Sequence, residues 1–505
     1  MVSTDPSLLI TGASGFIGRH LLRALRSSHQ IFALARGSPR LVGAPTGPGI
    51  EWIHADIGDR DHMAEVLAQL RDAGGVDLVI HLAGYYDFTG RNAPEYKHTN
   101  VEGMRNVLEL SKALQPRCFI FASSAAACDF TSPGRFVTED SAPDGKNPYS
   151  RSKRLGEEMV HEYQADLRSC IVRFAALYSD WCEYEPLDYF LSTWLSPGWR
   201  RRVLGGRGDS AIPYMHIDDA VDFCTRLLSR YEQIESGQIL LASGDGATSH
   251  YQLHAVATAC QFGQRIRPVR FPRQACLMGI WVMDALGRLV GRRPFERPWM
   301  ASCIDRKLDI DASRTRAWLE WQPRERLDIL RRMPFLIHNR KAHYDEWLRR
   351  NHLAARKTRG LASSKIHELL SIHQQEIGHL FSEYLLEPTQ RKRLAAYLDA
   401  PQKQLDERHR LLLEQLQCAV RTGDNAVFRN CCQHMAERWW VAGLPLDELW
   451  VALDELGRLC VTVLQQDPKA ENLEQEIYDQ ITMTFRFAID AVMEVQEHLG
   501  APVEA

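Results

Sequence analysis

Three side chains in this sequence could together move a proton at a substrate oxygen: Ser124, Tyr149 and Lys153. Tyr149 and Lys153 are four residues apart in a helix that begins after Asn147-Pro148, so they lie on one face of it. A nearby ammonium favours tyrosinate and lowers a phenol pKa from about 10. We therefore predict that Tyr149 gives or takes a proton while Ser124 holds the same substrate oxygen by a hydrogen bond.

Strands that alternate with helical segments must position these groups. Five apolar runs predict buried parallel strands, over 8–10, 31–35, 50–55, 77–84 and 118–124. Ser124 lies at the carboxyl end of the fifth run, where open α/β sheets bind their ligands. The predicted fold class is α/β, with a doubly wound, Rossmann-type parallel sheet.

A glycine-rich turn, Thr11-Gly12-Ala13-Ser14-Gly15-Phe16-Ile17-Gly18, joins the first strand to the first helix. Gly12 permits a sharp turn, Gly15 lets the backbone approach a pyrophosphate, and Gly18 lets the helix pack on the strand. Free N–H groups and the helix dipole then face the phosphates. Strand, turn and helix in this order predict a dinucleotide-binding site.

Two residues that follow the next strands bear on the choice of cofactor. Arg36 follows the second strand, at the place where an acidic residue would bind a ribose 2′-hydroxyl, and no Asp or Glu is near it in the sequence. A guanidinium there suits a 2′-phosphate, so we predict NADP as the preferred cofactor and NAD as the alternative. Asp56, just past the third strand, is placed to reach the adenine.

The order of these motifs resembles the extended short-chain dehydrogenase/reductase family, also called the NAD-dependent epimerase/dehydratase family, over about residues 5–335. The further motifs that carry the resemblance are His81-Leu82-Ala83-Gly84, Thr99-Asn100-Val101-x-Gly103, Ser123-Ser124 and His216-Ile217-Asp218-Asp219. The resemblance implies that Tyr149 is the acid/base, that Lys153 tunes it and holds the nicotinamide ribose, that Ser124 orients the substrate oxygen, and that Asn100 supports this network.

With this resemblance, the predicted cofactor contacts come from the glycine turn, the ends of the strands and the catalytic helix. They are Gly12, Ser14, Gly15, Phe16, Ile17, Gly18, Arg36, Asp56, Ile57, Leu82, Ala83, Gly84, Asn100, Tyr149 and Lys153. No metal site is predicted. Glu376-x-x-His379 and Asp406-x-x-His409 both have the spacing found in a di-iron bundle, but such a bundle needs two Glu-x-x-His pairs and only the first is one.

Departures from the family pattern bear on the substrate. Ser124-Ala125-Ala126 stands where dehydratases of the family carry Thr-Asp-Glu, so no acid pair is available to eliminate water. The stretch 173–180 lacks the family's Arg-Pro and Tyr-Gly-Pro, which weakens the expectation of a nucleotide-sugar pocket. Aromatic residues instead crowd 181–199, namely Trp181, Tyr184, Tyr189, Phe190, Trp194 and Trp199. An aromatic-lined pocket suits lipid-like or ring-containing substrates.

Our leading hypothesis is an NADP-preferring oxidoreductase that transfers a hydride at a carbonyl or alcohol of an apolar or ring-containing small molecule, as steroid dehydrogenases or flavonol reductases do. One alternative is a nucleotide-sugar epimerase, which uses the same three side chains but returns the hydride to the substrate. A second alternative is an NADPH-binding redox sensor that signals through the tail of the chain. The apolar run 275–283 predicts a buried helix of the substrate lobe, with a lid or a membrane-surface contact as the alternative.

The predicted domains are a dinucleotide-binding domain over 1–345, with its substrate lobe mainly within 175–300, a basic linker over 346–360 and a helical bundle over 361–505. Only five of the 33 glycines lie in 361–505, and its apolar residues recur at three- and four-residue steps. Residues 434–449 resemble locally the globin-like sensor modules of bacterial stress-response regulators. We expect this bundle to regulate or dimerise the enzyme, giving a homodimer, or to bind a protein partner.

Bulk properties narrow the expected partners. A net charge of -3 gives no reason to expect a nucleic-acid partner. The apolar runs are shorter than the roughly 18 residues that span a bilayer, and the N-terminal residues lack the pattern of a signal peptide. Twelve cysteines without a CxxC pair indicate reduced thiols, so we expect a cytoplasmic protein.

Overall fold

The computed structural model describes residues 6–37, 39, 42–132, 134–289, 295–355, 360–422, 425–470 and 473–500. The chain divides into two compact units, one of Met1–Ala35 with Val42–Thr358 and one of Arg36–Leu41 with Arg359–Ala505. We call them the N-terminal and the C-terminal unit. The N-terminal unit is built on a β-sheet covered by helices, whereas residues 360–500 are helical wherever they form regular structure.

Thirteen strands occur in the described part of the chain, all in the N-terminal unit. They are β1 Leu8–Thr11, β2 Ile31–Ala35, β3 Ile50–His54, β4 Leu78–His81, β5 Cys118–Ser124, β6 Ser169–Phe174, β7 Ala176–Tyr178, β8 Val203–Gly205, β9 Ala211–Ile212, β10 Tyr214–His216, β11 Gln238–Ala242, β12 Thr248–Ser249 and β13 Val269–Phe271. Seven of them form one parallel sheet in the order β11-β6-β5-β4-β1-β2-β3. The strand order reverses between β1 and β4, and ligands bind at such a switch point.

Eleven helices accompany these strands. They are α1 Phe16–Leu25, α2 Arg60–Asp72, α3 Gly103–Leu114, α4 Pro148–Glu162, α5 Glu185–Trp194, α6 Ile217–Ser229, α7 His250–Phe262, α8 Arg273–Leu289, α9 Ser313–Leu319, α10 Ile329–Ala342 and α11 Tyr344–Ala355. Both faces of the sheet are buried, because Leu8 and Ile10 pack with α1 and α6 whereas Leu9 packs with α2, α3 and α4. The predicted Rossmann-type α/β fold is therefore confirmed.

The smaller strands and the helices α5, α7 and α8 form the lobe beside the carboxyl end of the sheet. Its core contains Tyr178, Leu191, Trp194 and Trp347. The predicted helix over 275–283 is present within α8, but the prediction that it is buried is wrong. Most of α8 is exposed, because the helix packs on the protein only along one narrow side. On that side Asp284 is 1% exposed, and Cys276 and Ile280 are half-buried.

Much of the predicted linker is an ordered helix. Residues 346–360 were expected to connect two domains, but α11 covers Tyr344–Ala355. Trp347 is buried and its Nε1 donates to Asp188 Oδ1 at 2.8 Å. A buried tryptophan with a satisfied N–H anchors α11 to the substrate lobe, which the polar and basic composition of this stretch did not indicate.

The C-terminal unit consists of helices around one apolar core. The helices are α12 Gly360–Ile372, α13 Gln374–Leu386, α14 Pro388–Arg393, α15 Ala395–Leu398, α16 Gln402–Thr422, α17 Asn425–Val441, α18 Leu446–Gln466 and α19 Glu474–Gly500. Leu416, Phe428, Leu456 and Phe485 are among the buried side chains that hold it together. The helical character predicted for this part of the chain is confirmed.

Two searches of the described residues gave negative results. None of their helices combines the length and the apolar character needed to cross a membrane. Nor do three or more His, Cys, Asp or Glu side chains come together among them as a metal site would require. Glu376 is hydrogen-bonded to another histidine, His373. The Nδ1 atom of His373 lies 2.6 Å from Glu376 Oε2, and its Nε2 atom lies 2.8 Å from Asp467 Oδ2.

His409 is buried in the core of the C-terminal unit. Its ring packs edge-on against Phe381 and stacks on Tyr397, with centroid separations of 4.8 and 6.0 Å. Within the described residues neither ring nitrogen has a hydrogen-bond partner. Burial, assisted by the charge of Arg408, lowers the pKa of His409 to about 4. The imidazole is therefore neutral in the folded protein at pH 7.

We expect acid to destabilise the C-terminal unit through His409. The unfolded chain binds a proton at an ordinary histidine pKa of about 6.5, so stability falls as the pH drops from about 6.5 towards 4. The free energy of unfolding is measured by urea unfolding followed by circular dichroism. Between pH 7 and pH 4.5 we expect it to fall by about 2–3 kcal/mol less in His409→Phe than in the wild type. His379→Phe, at a histidine that is 73% exposed, is the control. Equal pH dependence in wild type and His409→Phe would contradict this assignment.

Candidate active site

The catalytic helix α4 begins with a capped turn that fixes Tyr149 and Lys153. The Oδ1 atom of Asn147 accepts from the N–H of Ser150 at 2.9 Å, and Pro148 occupies the first helical position. Both features favour a helix start at this point. Lys153 is buried, and its Nζ donates to the carbonyl of Ala122 in β5 at 2.7 Å.

Ser124 closes β5 beside this helix. Its Oγ accepts from the N–H of Ala126 at 3.2 Å, which caps the short turn that follows the strand. It is also hydrogen-bonded to the phenol of Tyr149. The structure thus brings Ser124, Tyr149 and Lys153 together at the carboxyl end of β5, as the sequence predicts.

The electrostatics of these groups differ from the expectation. Burial raises the pKa of the Tyr149 phenol, and the hydrogen bond from Ser124 only partly opposes this. Lys153 does not lower it as predicted, since its Nζ lies 6.0 Å from the centre of the Tyr149 ring and is directed to Ala122. Burial also lowers the pKa of Lys153 to about 8, against the opposing charge of Glu157. Desolvation outweighs charge attraction in this site.

Asn100 connects the loop after β4 to the catalytic helix. It lies in a π-helical turn, Tyr96–Glu102, a distortion that is common at functional sites. Its Oδ1 accepts from the N–H of Tyr85 at 2.6 Å, and its Nδ2 donates to the carbonyl of Tyr85 and to Ser152 Oγ, both at 2.8 Å. The predicted supporting role of Asn100 corresponds to these three bonds.

The glycine turn has the close contacts that a dinucleotide-binding turn requires. Gly12 has a φ of +67°, and an added Cβ would lie 2.7 Å from the backbone nitrogen of Ala83. At Gly18 a Cβ would lie 2.6 Å from the carbonyl oxygens of Gly12 and Ala13. Gly15 precedes α1 and supplies no capping side chain, so the first N–H groups of the helix can face a phosphate.

The other predicted cofactor contacts surround this turn. Ser14, Phe16 and Ile17 lie in the turn and the first helical turn of α1, while Leu82, Ala83 and Gly84 leave the sheet after β4. A Cβ on Gly84 would lie 3.4 Å from Lys153 Nζ and 3.7 Å from Asn100 Oδ1, so this position borders the catalytic groups. Arg36 is half-buried directly after β2.

Two predicted contacts after β3 have other partners in the structure. Asp56 accepts from the N–H of Gly58 at 2.9 Å and lies 3.3 Å from Nε2 of His98. The side chain of Ile57 is directed into the core of the sheet, and its carbonyl accepts from Asn106 at 2.8 Å. The contacts of Asp56 and Ile57 with a cofactor stay predictions.

A series of aromatic rings extends from the catalytic tyrosine, and three of its members were not predicted. Tyr86 lies 6.1 Å from Tyr149, Phe88 lies 5.9 Å from Tyr86, Phe295 lies 6.1 Å from Phe88, and Tyr189 stacks on Phe295 at 4.6 Å. We call Tyr149, Tyr86, Phe88, Phe295 and Tyr189 the aromatic series. The run Tyr85-Tyr86-Asp87-Phe88, directly after the strand motif, was the signal that could have identified two of them.

Only part of the predicted aromatic pocket contributes to this series. Tyr189 belongs to it, and Tyr184 contacts Phe88 at 5.9 Å. Phe190 and Trp194 instead stack on each other at 5.2 Å in the lobe. Trp181 lies under the guanidinium of Arg350, and Trp199 is 69% exposed. The density of aromatic residues in the sequence did not distinguish site, core and surface.

A strained loop beside the site was also missed. Cys182 and Glu183 both have left-handed backbone, with φ values of 73° and 53°. The carboxylate of Glu183 forms a buried ion pair with Arg19 of α1 and accepts from Ser179 Oγ at 2.7 Å, and its N–H donates to Asn351 Oδ1 at 2.8 Å. Strain of this kind persists where its surroundings enforce it, and here it positions Tyr184 next to the aromatic series.

Comparison with known proteins agrees with this geometry. Residues 8–242 match the NAD dependent epimerase/dehydratase family. This part of the chain is therefore similar to members of that family. UDP-glucuronate 4-epimerase 1 of Arabidopsis thaliana is 29% identical over 245 residues, which cover 43% of this chain and 54% of the relative. UDP-glucose 4-epimerase of Neisseria meningitidis serogroup C is 33% identical over 179 residues, 33% of this chain and 50% of the relative.

Solved structures of epimerases share the fold of the N-terminal unit. A mutant of UDP-glucuronic acid 4-epimerase from Bacillus cereus, solved in complex with UDP-4-deoxy-4-fluoro-glucuronic acid and NAD, superposes with a TM-score of 0.50. It is 19% identical, and the match covers 66% of this chain and 99% of that protein. At this identity the likeness concerns the fold alone. The chain spans about half the length of the curated relatives it matches, and these relatives favour the epimerase alternative over a net oxidoreductase.

Gly12→Ala should destabilise the protein more than an alanine in a left-handed conformation does by itself. Gly246→Ala is the matched control, since Gly246 has a φ of +74° and open space around its Cβ position. Each variant bears roughly 1–2 kcal/mol of left-handed strain, but only Gly12→Ala also collides with Ala83. We expect a lower melting temperature for Gly12→Ala than for Gly246→Ala, and loss of dinucleotide binding in calorimetric titration for Gly12→Ala alone. Equal effects would contradict the close approach of the two backbones.

Proposed function

We propose that the N-terminal unit is an NAD-dependent nucleotide-sugar epimerase that inverts a hydroxyl-bearing carbon of a UDP-hexose or UDP-hexuronate. The observation that carries the proposal is the meeting of Ser124, Tyr149 and Lys153 beside a glycine turn that fits a dinucleotide. The family of residues 8–242 and the 4-epimerase relatives support the reaction type. The substrate class comes from those relatives, each of which is named for a UDP-sugar.

The three side chains divide the proton chemistry between them. Tyr149 removes the proton from the substrate hydroxyl as the carbon is oxidised, and it returns a proton to the same oxygen when the carbon is reduced again. Ser124, already bonded to the phenol, holds that oxygen in place. Lys153, whose Nζ donates to the carbonyl of Ala122 and lies 6.0 Å from the centre of the Tyr149 ring, is placed to hold the ribose of the nicotinamide. When bound, the nicotinamide supplies the chemistry of accepting a hydride and returning it.

The raised pKa of Tyr149 is a property of the protein without ligands. Its ring is buried and its nearest hydrogen-bond partner is neutral, so the ionised form has little support. A nicotinamide in the oxidised state carries a positive charge, and a cation next to a phenol lowers the pKa of that phenol. An oxidised nicotinamide bound beside Tyr149 would therefore oppose the effect of burial and help this phenol to act as a base.

Net oxidation or reduction of an apolar or ring-containing molecule is the second candidate. The aromatic series favours it, because four further rings extend from the phenol of Tyr149 towards the substrate lobe. Such a lining suits a flat or apolar substrate better than a charged sugar nucleotide. The two candidates share their catalytic groups and differ in whether reduced cofactor accumulates.

The C-terminal unit is proposed to regulate this site or to dimerise the protein. Helix α11 ends five residues before α12 begins, and it is bonded to the strained loop. Asn351 accepts from the N–H of Glu183 and donates to the carbonyl of Trp181 at 2.9 Å. A displacement of α11 would therefore act on the loop that carries Tyr184. This arrangement supports a regulatory role, and the homodimer stays a prediction.

Assays with UDP-glucose, UDP-galactose and UDP-glucuronate test the proposed reaction. We expect interconversion of epimers by the full chain without accumulation of reduced nicotinamide. Tyr149→Phe should lower kcat by about 10²–10⁴-fold while dinucleotide binding is retained. Tyr163→Phe, which removes a phenol bonded to Glu109 at the far end of α4, should leave kcat unchanged. Turnover of ketones or alcohols with net cofactor consumption, and none of the UDP-sugars, would establish the second candidate instead.

The predicted preference for NADP over NAD is tested at Arg36. If this guanidinium binds the 2′-phosphate, Arg36→Ala should weaken NADPH binding by about tenfold or more and leave NADH binding unchanged. Calorimetric titration of the full chain with each nucleotide measures both affinities. Arg326→Ala, an exposed arginine on another surface, is the control. Equal affinities of wild type and Arg36→Ala for NADPH would show that the site does not select NADP through this residue.

A further inference from the structure

Helix α8 exposes an unusually apolar surface. Six large side chains, Leu277, Met278, Trp281, Val282, Met283 and Leu286, are all at least 40% exposed, and Met278 reaches 70%. At 3.6 residues per turn they spread over about 240° of the helix circumference, and the remaining side, with Cys276, Ile280 and Asp284, is the one that packs on the protein. We call these six residues the apolar face of α8. Soluble proteins rarely leave such a contiguous patch without a partner.

The stretch of sequence that contains α8 is rich in arginine. Between 263 and 297 the sequence contains eight arginines and two acidic residues. The arginines lie on both sides of the apolar stretch, at 265, 267, 270, 273, 288, 292, 293 and 297. This segment alone is therefore strongly basic, although the whole chain has a net charge of -3. Of these arginines, Arg265, Arg267, Arg270 and Arg273 are exposed in the described residues, and a partner that covers the start of α8 would meet their positive charge.

Neither acidic residue of the segment is exposed, so neither neutralises the charge of the exposed arginines. Asp284, the one acid within α8, is 1% exposed and its Oδ1 lies 3.4 Å from Nη1 of Arg297. Glu296 is half-buried and hydrogen-bonded to Tyr189. Arg265, Arg267 and Arg270, in contrast, are exposed. The exposed surface thus combines apolar side chains with cationic flanks.

From these observations we infer that α8 binds an anionic phospholipid bilayer, lying in its surface with the apolar face of α8 towards the lipid. An exposed tryptophan, methionines and aliphatic side chains on a helix, preceded by exposed arginines, are typical of helices that lie in a membrane interface. Seventeen residues are too few to span the hydrocarbon core, which needs about 20. Apolar burial and attraction to anionic headgroups act together in such binding.

The test is co-sedimentation of the full chain with vesicles. One set contains phosphatidylcholine alone and the other about one third phosphatidylglycerol. We expect binding to the anionic vesicles, little binding to the neutral ones, and weaker binding as salt is raised. Failure to bind anionic vesicles, or equal binding to both sets, would overturn the proposal.

Variants separate the apolar from the charged contribution. Met278→Asp/Trp281→Asp should reduce the vesicle affinity by about tenfold or more, and Arg265→Glu/Arg267→Glu should also reduce it. Leu386→Asp/Val441→Asp alters two exposed apolar residues of the C-terminal unit and is the matched control. Trp281→Ala serves as a milder variant if the aspartate pair lowers the melting temperature.

A second copy of the chain is the alternative to a lipid bilayer as the partner of this face, and an experiment distinguishes the two. If a second copy of the chain covers it, analytical ultracentrifugation will show a dimer that Met278→Asp/Trp281→Asp converts to a monomer, without vesicle binding by the wild type. That result would overturn membrane binding. A wild type that binds anionic vesicles, and whose oligomeric state the aspartate variant leaves unchanged, would support it. Neither outcome depends on the reaction proposed for the active site.

Discussion

The hydrogen bonds of Asn100 are the interaction on which the geometry of the active site depends. They hold the backbone of Tyr85 on one side and Ser152 on the other. The loop after β4 and the catalytic helix come from distant parts of the chain, and only this amide joins them by three bonds. A buried amide that loses such partners leaves polar groups unsatisfied, which costs about 1–3 kcal/mol for each group. The π-helical turn that bends the backbone at Asn100 is thus a part of the site.

Burial governs the chemistry of the site as much as contact does. The pKa of Lys153 is lowered to about 8 and that of His81 to about 3, in both cases chiefly because the groups are taken out of water. The same cause raises the pKa of Tyr149. A buried phenol, a buried amine and a neutral imidazole are close together, and the protein alone supplies little charge to stabilise an ionised tyrosine. The charge of a bound cofactor and substrate is what such a site is built to receive.

The sequence was sufficient for the sheet and for the meeting of Ser124, Tyr149 and Lys153, because both follow from local rules. Apolar runs of strand length predict buried parallel strands, and the glycine turn has a spacing that few other structures require. The same reasoning failed at Lys153, since the direction of its Nζ depends on a carbonyl of β5. It also failed for α8 and for the aromatic residues of the lobe. Hydrophobic character predicts that a side chain prefers burial, but whether anything covers it is decided by the whole fold.

The ion pair between Arg19 and Glu183 has a consequence for how the sequence can change. Both groups are largely buried, and breaking such a pair by removing one partner leaves an uncompensated charge, whereas replacing both can be neutral. The two residues are 164 positions apart, one in the helix that follows the glycine turn and one in the loop of the substrate lobe. Substitutions at these positions must therefore occur together to be tolerated. The helix that follows the glycine turn and the loop of the substrate lobe are in this respect coupled, although they are far apart in the chain.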